Sequence, residues 1–247
     1  MFVRRVTMKR LDKLLALNCN LSRKEARQLI KDGKVSVNGR TVLRAEELIN
    51  TDKDSIDVKG ASFTIKDHIY IMMNKPRGVI SATSDPRKET VIDRVPDELR
   101  RRSLFPCGRL DRDTTGLLII TDDGEMAHKI MSPAHHVYKT YIACLENELS
   151  GEDIAKLEEG ITLGDGTVCL PAKVKAFTNS DDIPCAEISI REGKYHQVKR
   201  MFAALGNKVT DLQRIAIGAL SLDEKLPEGG CRELLPEEIE MLFTDKQ

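Results

Sequence analysis

The residues best equipped for chemistry lie in one run, Phe105-Pro106-Cys107-Gly108-Arg109-Leu110-Asp111-Arg112-Asp113-Thr114-Thr115-Gly116-Leu117-Leu118-Ile119-Ile120. Gly108 and Gly116 bracket a polar loop with two carboxylates, Asp111 and Asp113, and an apolar stretch follows. Loops held by rigid strands are where catalytic groups tend to sit, so a carboxylate here could act as nucleophile, base or electrostatic stabiliser. Asp111-x-Asp113-x-Thr115 also has the spacing used for Mg²⁺-dependent phosphoryl transfer, with Asp122-Asp123 as further metal-binding acids. A salt-bridged surface loop has the same composition.

The elements that must hold this loop read mainly as strands. Strand-like runs fall at Ile69 to Met73, Val79 to Ala82, Gly116 to Thr121, Tyr138 to Cys144, Val168 to Phe177, Ala186 to Ile190 and Lys208 to Gln213. Helical periodicity fits Glu125 to Met131, Glu152 to Glu159, His196 to Leu205 and Pro236 to Phe243. Strands outnumber helices without regular alternation, which points to an α+β fold with a mixed, largely antiparallel sheet.

Composition narrows the function. The six cysteines show no Cys-x-x-Cys or zinc-finger spacing, so neither a disulfide framework nor a metal site is expected. With no signal-peptide core and no membrane-length apolar run, a soluble, cytoplasmic protein is expected. Net charge is zero, but residues 1–44 hold 12 Lys/Arg against 3 Asp/Glu, whereas residues 221–247 hold 3 against 8. Phosphate binding needs local positive charge, and the basic head supplies it. Aromatic residues make up 4%, so few side chains could stack on a base.

Within that head, Leu11, Leu14 and Leu15 sit at helical spacing from Met8 to Leu17. Ser22-x-x-Glu25 is a capping box that should start a helix at Arg23, and Gly33 is placed to end it. Val35, Val37 and Val42 flank Asn38-Gly39, a strong hairpin signal. Arg23, Lys24, Arg27 and Lys34 would then cluster near the second helix.

Arg10-Leu11-Asp12-Lys13-Leu14-Leu15, Ser22-Arg23 and Gly33-Lys34-Val35-Ser36-Val37-Asn38-Gly39 resemble the S4 RNA-binding domain. The resemblance implies that Arg10, Arg23, Lys24, Arg27 and Lys34 hold structured RNA through phosphates. Gly-Arg-Leu-Asp-x-x-Thr-x-Gly-Leu-Leu from Gly108, followed by Thr121-x-Asp123-Gly124, resembles the catalytic motif of RsuA-type pseudouridine synthases. Asn74-Lys75-Pro76-x-Gly78, Ser132-Pro133 with Lys139-Thr140-Tyr141, and Glu192 to Met201 resemble their other motifs. The phosphotransferase pattern, that of haloacid dehalogenase-type enzymes, should follow a hydrophobic strand; here the apolar run comes after it.

The expected organisation is an S4 domain at 8–59, a linker at 60–67 and a pseudouridine synthase catalytic domain at 68–247. The resemblance implies isomerisation of a uridine in ribosomal RNA, without cofactor or metal. It places Asp111 beside C1′, Tyr141 against the flipped base and Lys199 as the counter-charge of Asp111. Asp113 is expected as a loop-capping or surface group, His196 as structural or RNA-contacting, and Arg109 as a phosphate contact or brace for the flipped nucleotide. Arg200 should point away, because adjacent helical residues diverge by about 100°. Motif details lie nearer the 16S members than the 23S ones. The expected partner is 16S rRNA in a ribosome assembly intermediate, met by a monomer with no membrane involvement. A 23S enzyme and a non-catalytic S4-type assembly factor are the alternatives.

Overall fold

In a computed structural model, residues 8–244 are described except 52, 64, 102, 133 and 134. Pro133 of the Ser132-Pro133 pair, and most of the basic segment before Arg10, therefore lie outside the described residues. The chain divides into two compact units: residues up to Ile69 with Asp97–Leu104, and Tyr70–Pro96 with residues from Phe105 onward.

In the first unit, β1 (Met8–Arg10) leads into α1 (Leu11–Asn18) and α2 (Arg23–Lys31). Then come β2 (Val35–Val37), β3 (Arg40–Thr41), β4 (Leu48–Asn50), β5 (Ile56–Val58) and β6 (Ala61–Phe63). The first helix is shorter than its periodicity suggests, because Met8 to Arg10 pair with β4 instead. The Ser22 hydroxyl accepts from the Glu25 N–H, and the Glu25 carboxylate accepts from the Ser22 N–H. Asn38 and Gly39 have φ of 51° and 76°, the positive pair that a type I′ hairpin turn requires. The stretch 60–67 is more than a linker: Ala61–Phe63 pairs with β5, and the Lys66 N–H donates to Asn18. Leu11, Leu14, Leu15, Ala26 and Ile30 form the core with inward residues of the strands.

The second unit contains β7 (Tyr70–Lys75), β8 (Phe105–Cys107), β9 (Thr115–Thr121), α3 (Gly124–Met131), β10 (Lys139–Leu145) and α4 (Gly151–Glu159). It continues with β11 (Lys173–Thr178), β12 (Pro184–Ile190), α5 (Gln197–Ala204), β13 (Val209–Ile217), β14 (Leu220–Ser221), β15 (Cys231–Glu233) and α6 (Pro236–Met241). Among the described residues the sheet has the order β11-β12-β10-β13-β9-β7-β15, with β14 on β13 and β8 on β9. Only β9 and β13 run parallel there; the other pairs are antiparallel. Helices α4 and α5 pack on β10, β12 and β13, while α3 and α6 cover β7 to β9. Val79 to Ala82 does not form the expected strand. It makes a single bridge, Ile80 to Thr90, and bends so that the Ser81 hydroxyl serves the backbone of Leu110. No helix among the described residues is long and apolar enough to cross a membrane.

One edge of β9 is shared. Its first residues, Thr115 and Gly116, pair with Gln213 and Arg214 of β13, and its far end pairs with β8. The polar loop from Gly108 to Thr114 leaves the sheet between those two partners.

Candidate active site

The loop is clamped from the end of β7 and the segment after it. Ser81 Oγ accepts from Leu110 N (3.1 Å) and donates to Leu110 O (2.9 Å). Gly78 N donates to Arg112 O at 2.8 Å, and Arg112 Nε donates to Gly78 O at 2.9 Å. Lys75, fully buried, donates through Nζ to Thr114 O (2.9 Å) and Pro76 O (3.1 Å). Burial lowers the Lys75 pKa to about 8, against the opposing pull of Asp113 and Asp111. These bonds give the Asn74-Lys75-Pro76-x-Gly78 motif a physical task, which is to fix the loop that carries Asp111.

Gly116 lets the base of the loop close. Its φ is +96°, and an added Cβ would stand 2.2 Å from Arg214 O. Only glycine tolerates both the conformation and the approach.

Asp111 projects toward the start of α5. Its Oδ1 lies 3.3 Å from His196 Nε2, and its Oδ2 lies 3.4 Å from Lys199 Nζ. Lys199 also reaches Asp113 Oδ1 at 2.6 Å, and that hydrogen bond holds the Asp113 carboxyl below the usual range despite partial burial. Asp113 is thus exposed, as a surface group would be, yet it takes the shorter of the two lysine contacts. Arg200 points away, to Asp165 at 2.5 Å. His196 has a left-handed backbone, φ 49°, and stacks on Tyr195. The turn before it is fixed by buried Gln197, which donates to Glu192 (2.7 Å) and accepts from Lys194 N (2.9 Å).

Tyr141, half-buried on β10, lines the same recess as Asp111, Thr114 and Arg109. In the sheet register it lies opposite Arg214, whose guanidinium carbon is 6.0 Å from the ring centroid. Arg109 is exposed at the rim.

The expected nucleic-acid residues of the first unit are arranged differently from a free basic face. Arg10, Arg23 and Arg27 all reach the fully buried Asp12, at 3.0, 3.2 and 2.9 Å. Burial alone would raise the Asp12 carboxyl, but hydrogen bonds from Arg10, Arg27 and Arg23 hold it at about 2. Lys34 pairs with Asp32, and Lys24 is exposed.

Asp111 has the Lys199 ammonium 3.4 Å away, a poor setting for a metal ion. Asp123 instead caps α3 and accepts from the Tyr70 hydroxyl, at the far end of β9. No group of three His, Cys, Asp or Glu among the described residues could hold a metal. A carboxylate fixed between Lys199 and His196, beside an aromatic ring, suits work on a nucleoside sugar. Residues 69–204 match the model of RNA pseudouridylate synthases, and residues 9–53 match the S4 domain. The chain belongs to the RNA pseudouridylate synthase family. It is 40% identical to "Ribosomal small subunit pseudouridine synthase A" of Vibrio cholerae, over 95% of this chain and 99% of that protein. It is 39% identical to "Ribosomal large subunit pseudouridine synthase B" of Bacillus subtilis, over 95% of this chain and 96% of that protein. A solved pseudouridylate synthase superposes with a TM-score of 0.64 at 41% identity, covering 94% of this chain and 99% of that one.

Sequence reasoning passed over His196 as a neighbour of Asp111, Lys75 beneath the loop, and Arg214. A visible signal existed for Arg214: a lone arginine inside the strand pattern Leu212 to Ile217.

Proposed function

We propose that this RNA pseudouridine synthase acts on a uridine of ribosomal RNA, with Asp111 as its catalytic carboxylate. The observation that carries the reading is the position of Asp111, fixed by the loop clamp and paired with Lys199 and His196 beside Tyr141. Breaking the N1–C1′ bond develops positive charge at the sugar, which a carboxylate can stabilise or capture. The uridine leaves its stack to expose C1′, and stacking on Tyr141 contributes about 1–3 kcal/mol. Lys199, 3.4 Å from Asp111, aims the carboxylate. Isomerisation leaves composition and oxidation state unchanged, so the reaction as proposed needs no redox or group-transfer cofactor. Arg109 braces the flipped nucleotide, and the S4 unit holds RNA through its basic side chains.

Within ribosomal RNA we assign the target to 16S RNA, in an assembly intermediate in the cytoplasm, bound by a monomer. The run Tyr195-His196-Gln197-Val198-Lys199-Arg200-Met201-Phe202 supports 16S. A 23S target is the second reading, favoured by the near-equal identity to a relative named for the large subunit. The test incubates unmodified 16S and 23S RNA, and their assembly intermediates, with the enzyme and maps the pseudouridines formed. Asp111→Asn should abolish product while RNA affinity stays nearly intact; full activity of that variant sinks the assignment.

A further inference from the structure

The recess at Asp111 holds only about 80 Å³. Pockets that enclose small organic ligands begin at about 300 Å³. Across Tyr141 and Arg109, which line both spaces, lies a second cavity of about 280 Å³. Its walls include Cys107, Ile130 and Ile217, and its polar groups include Lys139 and Arg214. Apolar walls with a few donors suit a flat heterocycle.

Arg214 is 4% exposed. Its Nε donates to Leu117 O at 2.7 Å, but its Nη2 is buried and finds no acceptor among the described residues. Such a donor is costly to bury unless something completes it. Lys139 donates to Ile130 O at 3.0 Å. Burial, then the nearby Arg214 charge, lowers its pKa to about 8.

We propose that this second cavity is the chamber in which the detached uracil turns, and that Arg214, aided by Lys139, donates to a carbonyl oxygen of that base. The assignment rests on Asp111 facing C1′. When the N1–C1′ bond opens, its electron pair stays on the ring and spreads onto O2 and O4. A half-turn about the C6–N3 axis exchanges N1 with C5 and O2 with O4. A donor held on β13 therefore meets O2 before the turn and O4 after it. The ring electrons then form the C5–C1′ bond, the C5 proton leaves and N1 gains one, so atoms and electrons balance. Cytosine shares O2 with uracil, so discrimination comes after the turn, when its exocyclic amine would meet a guanidinium and an ammonium that are donors only.

The test compares wild type with Arg214→Gln, which keeps a donor for Leu117 O, on RNA whose target uridine has been mapped. Single-turnover rate at saturating enzyme should fall about 100-fold, the usual cost of removing one preorganised donor to a developing anion. RNA affinity should change less than about threefold. The decisive measurement places 2-thiouridine or 4-thiouridine at the target. The ratio of thio to oxo rates, taken within each enzyme so that a partly unfolded fraction cancels, should differ between wild type and variant by about tenfold. Equal ratios would mean that Arg214 merely supports Tyr141 and would overturn the proposal. Weakened binding with a flatter salt dependence would overturn it in favour of a phosphate ligand. Activity in Asp111→Asn would instead remove the placement of C1′, a separate failure.

Discussion

Replacing Lys199 with Met tests how Asp111 is held. The ammonium stands 3.4 Å from Asp111 and 2.6 Å from Asp113. At 3.4 Å a unit-charge pair gains about 5 kcal/mol at an effective dielectric of 20 and about 1 kcal/mol in bulk water. The two side chains are 23% and 29% exposed, and the lysine is shared, so about 2 kcal/mol falls to Asp111. If that energy aims the carboxylate in the transition state, the rate falls about 30-fold. The assay is single-turnover pseudouridine formation at saturating enzyme, with the RNA dissociation constant measured separately. Binding should move less than about threefold, because Lys199 is already engaged with two carboxylates. Asp113→Asn should cost the rate little, since it frees the lysine for Asp111. An unchanged rate in Lys199→Met, or a loss of affinity equal to the loss of rate, refutes the reasoning.

Three other perturbations follow from the same geometry. Gly116→Ala should destabilise the chain by about 3 kcal/mol or more in urea unfolding, since the new Cβ meets the Arg214 carbonyl at positive φ; a change under about 1 kcal/mol contradicts this. Lys75 has its pKa lowered to about 8, so it loses its charge above that pH and the turnover of wild type should decline there. The unfolded chain keeps the proton longer, up to about pH 10.4, so wild type should gain stability relative to Lys75→Met between those values, and a relative loss counts against a buried ammonium. For Asp12, held at about 2, the stabilisation is present above its unfolded pKa and is lost as pH falls through the folded value. Asp12→Asn should therefore unfold at lower urea than wild type at pH 7, by about 2 kcal/mol, with the gap closing near pH 2; a gap unchanged by acid argues against the ion cluster.

The sequence disclosed what depends on neighbouring residues. The Ser22 and Glu25 cap, the Asn38-Gly39 turn and the α+β order each follow from a few positions whose backbone needs are local. It disclosed less where tertiary pairing overrides local preference. Met8 to Arg10 gave up helical continuation to pair with β4, and Val79 to Ala82 gave up strand pairing to wrap the Asp111 loop. The clamp was hidden for the same reason: Lys75 and Thr114 are far apart in sequence, and nothing near Lys75 announces that its amine ends under a carbonyl. His196 was visible as a residue but not as a neighbour of Asp111, because that depends on a left-handed turn held by Gln197 and Glu192.

The basic head shows why charge counting alone misleads. Arg10, Arg23 and Arg27 look like free phosphate ligands in the sequence, yet all three converge on Asp12. The proposed role in RNA binding survives this pairing. One buried carboxylate under three guanidiniums leaves an excess of positive charge, and their side chains remain 39%, 55% and 47% exposed. Asp12 fixes long side chains whose freedom would otherwise be lost only on binding, at a cost of about 0.5–1.5 kcal/mol each. Lys199 between Asp111 and Asp113 follows the same principle with the signs reversed. In both units the useful charge is held in place by a neighbour of opposite sign, and the pairing sets its direction.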